Sequence, residues 1–140
     1  MSLSLEIQKQ LGDFALDLSV EAGNEVLALL GASGCGKSMT LKCIAGIQRP
    51  DRGHMEVDGV TLFDSARRID LSPQKRRTGL MFQNYALFPN MTVEQNIRAG
   101  ARREKDAALR QRQTAELMER FGLADRAGDY PAQLSGGQQQ

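Results

Sequence analysis

Gly31-Ala32-Ser33-Gly34-Cys35-Gly36-Lys37-Ser38 is the stretch on which the reading of this chain turns. Glycine admits left-handed backbone and lets main chain come close to a ligand. Amides turned inward by such a loop, reinforced by the positive end of a following helix, make a bowl for anions. In a bowl of this kind Lys37 sets an ammonium against the β- and γ-phosphates of a nucleotide, and the Ser38 hydroxyl offers an oxygen ligand to Mg²⁺. From the composition of this chain, a chance match to Gly-x-x-x-x-Gly-Lys-Ser/Thr has a probability of roughly half a percent. The competing reading is a glycine-rich turn with a surface lysine. Cys35, inside the loop, reads as a small space-filling residue without a redox role.

The flanks give the loop its setting. Glu25 to Leu30 is nearly continuously apolar, the pattern of a strand buried on both faces of a parallel sheet. Met39, Leu41, Ile44 and Ala45 predict a short buried helix ending near Gly46. Strand, loop and helix are the context this motif requires. Upstream, Leu3, Leu5 and Ile7 alternate with polar residues, as do Phe14, Leu16 and Leu18, predicting two half-buried strands joined at Gly12-Asp13. Downstream, Pro50 to Gly53 is a turn, and His54–Val57, Asp58-Gly59 and Val60–Phe63 form a hairpin pattern. His54, the single histidine, reads as a plain surface residue. Asp64 to Arg77 reads as a solvated loop and Thr78 to Phe82 as a second core strand. Thr92 with Gln95 forms a capping-box pattern, and Glu104 to Phe121 a charged helix closed by Gly122. A mixed-sheet portion up to about Pro89 and a helical portion from 90 to 140 follow.

Composition bounds the rest. The chain has 140 residues, 41% hydrophobic and 25% charged, which excludes wholesale disorder and collagen-like repeats. A net charge of +1 argues against nucleic-acid binding by bulk electrostatics. The longest apolar run, Val26 to Leu30, is far short of the roughly 20 residues of a membrane-spanning helix. No basic segment followed by an apolar one opens the chain, and Cys35 and Cys43 are too few for a disulfide framework. A soluble cytoplasmic α/β protein is the expectation.

Leu134-Ser135-Gly136-Gly137-Gln138 narrows the field among nucleotide-binding proteins. Ser135 and Gln138 have capping-box spacing, and two glycines in the first turn let backbone amides approach a ligand. With Gly31–Ser38 and Phe82-Gln83 in this order, the chain resembles the ATP-binding-cassette family over its whole length. Gly31–Ser38 matches the Walker A motif, Phe82-Gln83 the Q-loop and Leu134–Gln138 the signature. The resemblance implies an α/β P-loop ATPase core with an antiparallel β subdomain and a helical subdomain. It implies ATP and Mg²⁺ as cofactors, held by Gly31, Ala32, Ser33, Gly34, Cys35, Gly36, Lys37, Ser38 and Met39. Ser38 and Gln83 are the implied metal contacts, and Gln83 the catalytic residue that touches the attacking water and senses the membrane partner. Ser135, Gly136 and Gly137 are implied to close over the γ-phosphate held by a second subunit, giving a head-to-tail homodimer. An aromatic upstream of Walker A stacks on adenine in the family. Phe14 is the nearest aromatic, and Leu11-Gly12 is the competing position.

Asn84 to Met91 either receives a coupling helix of a membrane permease or packs on the helical portion; both readings stand. Leu62–Ser65, Ile69–Pro73, Lys75–Arg77 and Phe82–Val93 resemble the ATPase subunits of molybdate or tungstate importers, which implies a peripheral place on the cytoplasmic face of the cell membrane. Arg98 to Arg112 reads as a solvated helix face. The family's Walker B Asp, catalytic Glu, D-loop and switch His, which follow the signature, are not among the 140 residues. The expectation is an N-terminal portion with an uncovered sheet edge and very slow hydrolysis. A hydrolysis-deficient nucleotide-binding or dimerisation module is the alternative, and a small-molecule kinase the reading the signature disfavours.

Overall fold

The computed structural model describes residues 2–101 and 104–140; Met1, Arg102 and Arg103, the latter two within the expected solvated face, lie outside the described residues. The chain forms two compact units, Met1–Leu80 and Met81–Gln140.

In the first unit the alternating apolar pattern becomes strands β1 (Leu3–Leu11) and β2 (Phe14–Ala22), joined by Gly12 at φ +56°. Helix α1 (Lys37–Ile44) follows the glycine loop. Strands β3 (Arg52–Val57) and β4 (Val60–Asp64) meet at Asp58-Gly59, both at positive φ, as the hairpin pattern predicts. Strand β5 (Ile69–Asp70) and helix α2 (Pro73–Arg76) complete the unit. The sheet is antiparallel throughout, in the order β2-β1-β3-β4-β5. Its inward side chains Leu5, Ile7, Leu16, Met55, Leu62 and Phe63 pack with Cys43 of α1 into one core. Burial pushes the Cys43 thiol pKa up, so it packs there as a small neutral group.

Three expectations fail in this unit. Glu25–Leu30 forms no strand, and Val26 and Leu30 are 98% and 92% exposed. Thr78–Phe82 forms none either, and the Thr78 hydroxyl is buried without a hydrogen-bond partner among the described residues. Both runs have the composition of central parallel strands, which hold only between neighbours that pair with them and cover both faces. No ladder of the antiparallel sheet reaches either run. Asp64–Arg77, expected as a solvated loop, instead contains β5, α2 and the buried Arg76. Arg76 donates to the carbonyls of Leu71 at 2.7 Å, Cys43 at 2.7 Å and Ile44 at 3.1 Å, and pairs with Asp70 at 2.9 Å. It therefore neutralises the negative end of α1 and ties it to β5. His54, read as a plain surface residue, keeps 38% of its side chain exposed, with Nδ1 3.3 Å from Asp64 Oδ2.

Two carboxylates of this unit are held in the charged form by their partners. The Gln10 amide and then the Lys9 ammonium hold Asp51 below the ordinary carboxylate pKa; the Arg67 amide and then His54 do so for Asp64. A lowered folded pKa contributes stability that is present above the unfolded value of about 3.9 and is lost as pH falls through the folded one. Denaturant midpoints are therefore expected to drop from pH 5 to pH 3. Asp51→Asn with Asp64→Asn should flatten that slope; an unchanged slope would place the acid sensitivity elsewhere.

The second unit is helical: α3 (Val93–Gly100), α4 (Ala107–Arg120) and α5 (Gly136–Gln139), with short 3₁₀ turns at Ala124–Arg126 and Pro131–Gln133. Thr92 and Gln95 form the capping box expected for α3. Helix α4 starts later than Glu104 because the Asp106 carboxylate accepts from the amides of Ala108 and Leu109, and Gly122 follows its end at φ +65°. The α3 start is tied to a later turn through Val93 N to Asp129 O and Glu94 N to Ala127 O.

Candidate nucleotide-binding site

Gly31, Gly34 and Gly36 all sit at positive φ, +156°, +85° and +97°. Two of them are required for space as well. A Cβ on Gly36 would stand 2.8 Å from Leu16 Cδ1 and 3.1 Å from Phe14 Cζ, so β2 props the loop from beneath. A Cβ on Gly31 would meet Cys35 Sγ at 2.6 Å, consistent with Cys35 as a filler of the loop interior. Gly34 faces open space. Gly36 is the N-cap of α1 and supplies no side-chain acceptor, and no acidic residue lies in the first turn. The leading amides of the helix thus stay available to an external anion.

Lys37 Nζ donates to Gly31 O and Ala32 O, each at 2.7 Å, so its ammonium lies over the loop it follows. Carbonyl partners of this kind exchange for phosphate oxygens at small cost, because both are acceptors for the same charge. Thr40, which motif reading does not single out, returns both its amide (2.9 Å) and its hydroxyl (3.1 Å) to Gly36 O and fixes the loop on the helix. Ser33 and Ser38 are exposed and Met39 is packed against the core. Phe14, the candidate adenine contact, is half-buried beneath Gly36.

This donor set fits a polyphosphate: glycines at positive φ, the leading amides of α1, one ammonium and an exposed loop. Among the described residues no group of three or more His, Cys, Asp or Glu could hold a metal ion. A Mg²⁺ here would take Ser38 Oγ together with phosphate oxygens and water, the coordination this ion prefers.

Gln83 and the Ser135–Gly137 segment belong to the second unit. Gln83 is exposed at the start of a turn over residues 83–86. Tyr85 and Ala86 follow at φ +57° and +51°, each costing about 1–3 kcal/mol for a residue with a Cβ. Ser135 N bonds Gln138 Oε1 at 2.9 Å and Gln138 N bonds Ser135 Oγ at 3.4 Å, the capping box read from the motif. Gly136 and Gly137 face open space. Leu87 is half-buried while Phe88 and Met91 are exposed, so the 84–91 segment divides between the two readings given for it. Leu87 joins Met81, Val93, Ile97, Phe121 and Leu134 around an apolar groove of about 580 Å³.

With this geometry described, comparison with known proteins is direct. The family described as ABC transporter matches residues 14–140. The chain belongs to this ABC transporter family. It is 40% identical over 138 residues to the molybdenum import ATP-binding protein ModC of Paramagnetospirillum magneticum, covering 99% of this chain and 38% of that protein. It is 45% identical over 123 residues to the sulfate/thiosulfate import ATP-binding protein CysA 2 of Chromobacterium violaceum, covering 88% of this chain and 32% of that one. The chain thus spans well under half the length of these relatives. Its fold matches the ABC transporter cassette MJ0796, solved as a dimer in a post-hydrolysis state bound to ADP and Pi, with a TM-score of 0.74 at 24% identity. That match covers 99% of this chain and 65% of the other. The α/β cassette fold expected from the motifs is therefore the fold of this ABC chain. No helix among its described residues is long and apolar enough to cross a membrane.

Proposed function

We propose that the chain is the nucleotide-gripping part of the ATP-binding subunit of an ABC importer that takes up an oxyanion, molybdate. The observation that carries the nucleotide half is the Lys37 ammonium, 2.7 Å from two loop carbonyls at the head of α1. The resemblance to ModC and to a sulfate/thiosulfate relative supports an oxyanion, and a spermidine/putrescine relative at 45% identity makes a polyamine the competing solute class. Residues 1–89 serve as the β subdomain with Walker A and Q-loop, and 90–140 as the helical subdomain ending in the signature.

In this reading the amides of Gly31–Met39 and Lys37 bind the triphosphate, and Ser38 and Gln83 contact Mg²⁺. The ion, when bound, neutralises charge on the transferred phosphoryl group. Phe14 meets the adenine. Gln83 orients the attacking water and couples to the permease. Ser135, Gly136 and Gly137 complete the site of a second subunit arranged head to tail. The assembly works at the cytoplasmic face of the cell membrane as a peripheral subunit bound to permease partners. The Walker B Asp and catalytic Glu are not among these 140 residues. In this reading the whole subunit is the transport ATPase, and these residues supply its grip on the nucleotide.

Lys37→Ala removes one charge-assisted contact and is expected to weaken ATP binding about 10- to 100-fold, as measured by equilibrium titration, with the thermal midpoint nearly unchanged. Equal affinity in the parent chain and the variant would sink the nucleotide reading. Single-turnover hydrolysis by the longer protein, abolished by the same change, separates the ATPase from the inert module.

A further inference from the structure

Asn96 has no role in the motif reading, yet its side chain is the most connected amide of the second unit. Its Oδ1 accepts from Phe88 N at 2.8 Å. Its Nδ2 donates to Phe88 O at 3.1 Å, Met91 O at 3.0 Å and Thr92 O at 3.0 Å. One α3 side chain thus clamps the loop that runs back to Gln83. At the other end of this loop, Tyr85 N bonds Phe82 O at 2.9 Å and Ala86 N bonds Asn84 O at 2.7 Å. The second bond skips only one residue and closes a three-residue turn of the rare positive-φ kind. Two neighbouring non-glycine residues at positive φ persist only where their surroundings hold them. Gln95 adds one bond to this segment, at Thr92 N, but among the described residues no side chain bonds as many backbone atoms of residues 88–92 as Asn96 does.

We propose that Asn96 is a positioning residue: it latches the strained Tyr85–Ala86 turn, and release of the latch lets the turn relax and moves Gln83. The functional consequence rests on the reading of Gln83 as the coupling residue, while the latch itself does not. A turn with a strained and a relaxed form is a two-state element that a ligand or partner touching Gln83 could bias. A plain helix cap would be indifferent to strain at Tyr85 and Ala86, about ten residues upstream, and that difference is measurable.

Amide hydrogen exchange of the 140-residue chain, followed by mass spectrometry without nucleotide, reads it. Asn96→Ala should speed exchange in residues 82–91 about tenfold and leave α4 unchanged. Asn96→Asp keeps the acceptor for Phe88 N but sets a carboxylate oxygen against the carbonyls of Phe88, Met91 and Thr92, and should speed exchange at least as much as Asn96→Ala. Ala86→Gly in the Asn96→Ala background removes part of the strain and should return exchange most of the way to the parent rate. No acceleration in Asn96→Ala, acceleration spread over all of α3 and α4, or no rescue by Ala86→Gly would each overturn the latch. Because nucleotide is absent, failure of the ATP-binding reading would appear in the Lys37→Ala titration and not in this experiment.

Discussion

Gly53→Ala is expected to leave the chain without a cooperative unfolding transition. Gly53 sits in β3 at φ +117°, opposite Ile7 in the pairing with β1, and a Cβ there would stand 1.9 Å from Glu6 O. The obstacle is backbone of the neighbouring strand β1, so no side-chain rotation relieves it. Moving β1 would disturb both its ladders and the fully buried Ile7 and Met55 beside them. Overpacking costs about 1–3 kcal/mol and the left-handed backbone of a residue with a Cβ about 1–3 more. Together they approach the whole stability of a small domain, roughly 5 kcal/mol at the low end. Gly59→Ala is the control. It shares a positive φ but faces open space, and should cost only about 1–2 kcal/mol. Circular dichroism with urea titration distinguishes them, and a folded Gly53→Ala chain with a near-parental midpoint would refute the strand register.

Arg76→Leu is expected to destabilise the first unit by about 3–4 kcal/mol, read as a shift of the urea midpoint at constant slope. The Arg76 side chain is 1% exposed, and its guanidinium serves carbonyls from two elements and one carboxylate at once. Leucine matches much of the volume and supplies none of the donors, so those acceptors lose their partner away from water. Arg76→Lys keeps the charge but not the planar fork and should recover only part of the loss. Gly46, at φ +77°, belongs to the same joint, since a Cβ there would lie 2.6 Å from Arg76 Nε. A Leu variant as stable as the parent would mean that the end of α1 is secured by something else.

What could be read in advance depended on how local the cause was. The β1–β2 and β3–β4 hairpins, the capping boxes of Thr92 and Ser135, and the glycine ends of α1 and α4 follow from periodicity and turn chemistry within a few residues. The strands expected at 25–30 and 78–82 depend on neighbours elsewhere, and an apolar run cannot reveal whether the same 140 residues supply them. Arg76 illustrates the opposite error. In a basic, polar stretch a lone arginine carries no signal of burial, because its partners are carbonyls whose positions only the tertiary fold fixes. The site divides the same way. Gly31, Gly36 and Lys37 announced themselves by spacing. Thr40 and Asn96 did not, since each acts through backbone atoms four to eight residues upstream whose positions only the folded loop fixes.

Everything functional rests on the amides around Gly34 and Gly36 meeting a polyphosphate. Titration of isotopically labelled chain with Mg²⁺ and ATP, and separately with tripolyphosphate, tests this residue by residue in nuclear magnetic resonance spectra. Saturable shifts concentrated at Gly31–Met39 with both ligands, and lost in Lys37→Ala, are the expected result. Shifts that leave this loop untouched while nucleotide binds elsewhere, or that survive loss of the lysine ammonium undiminished, would contradict it.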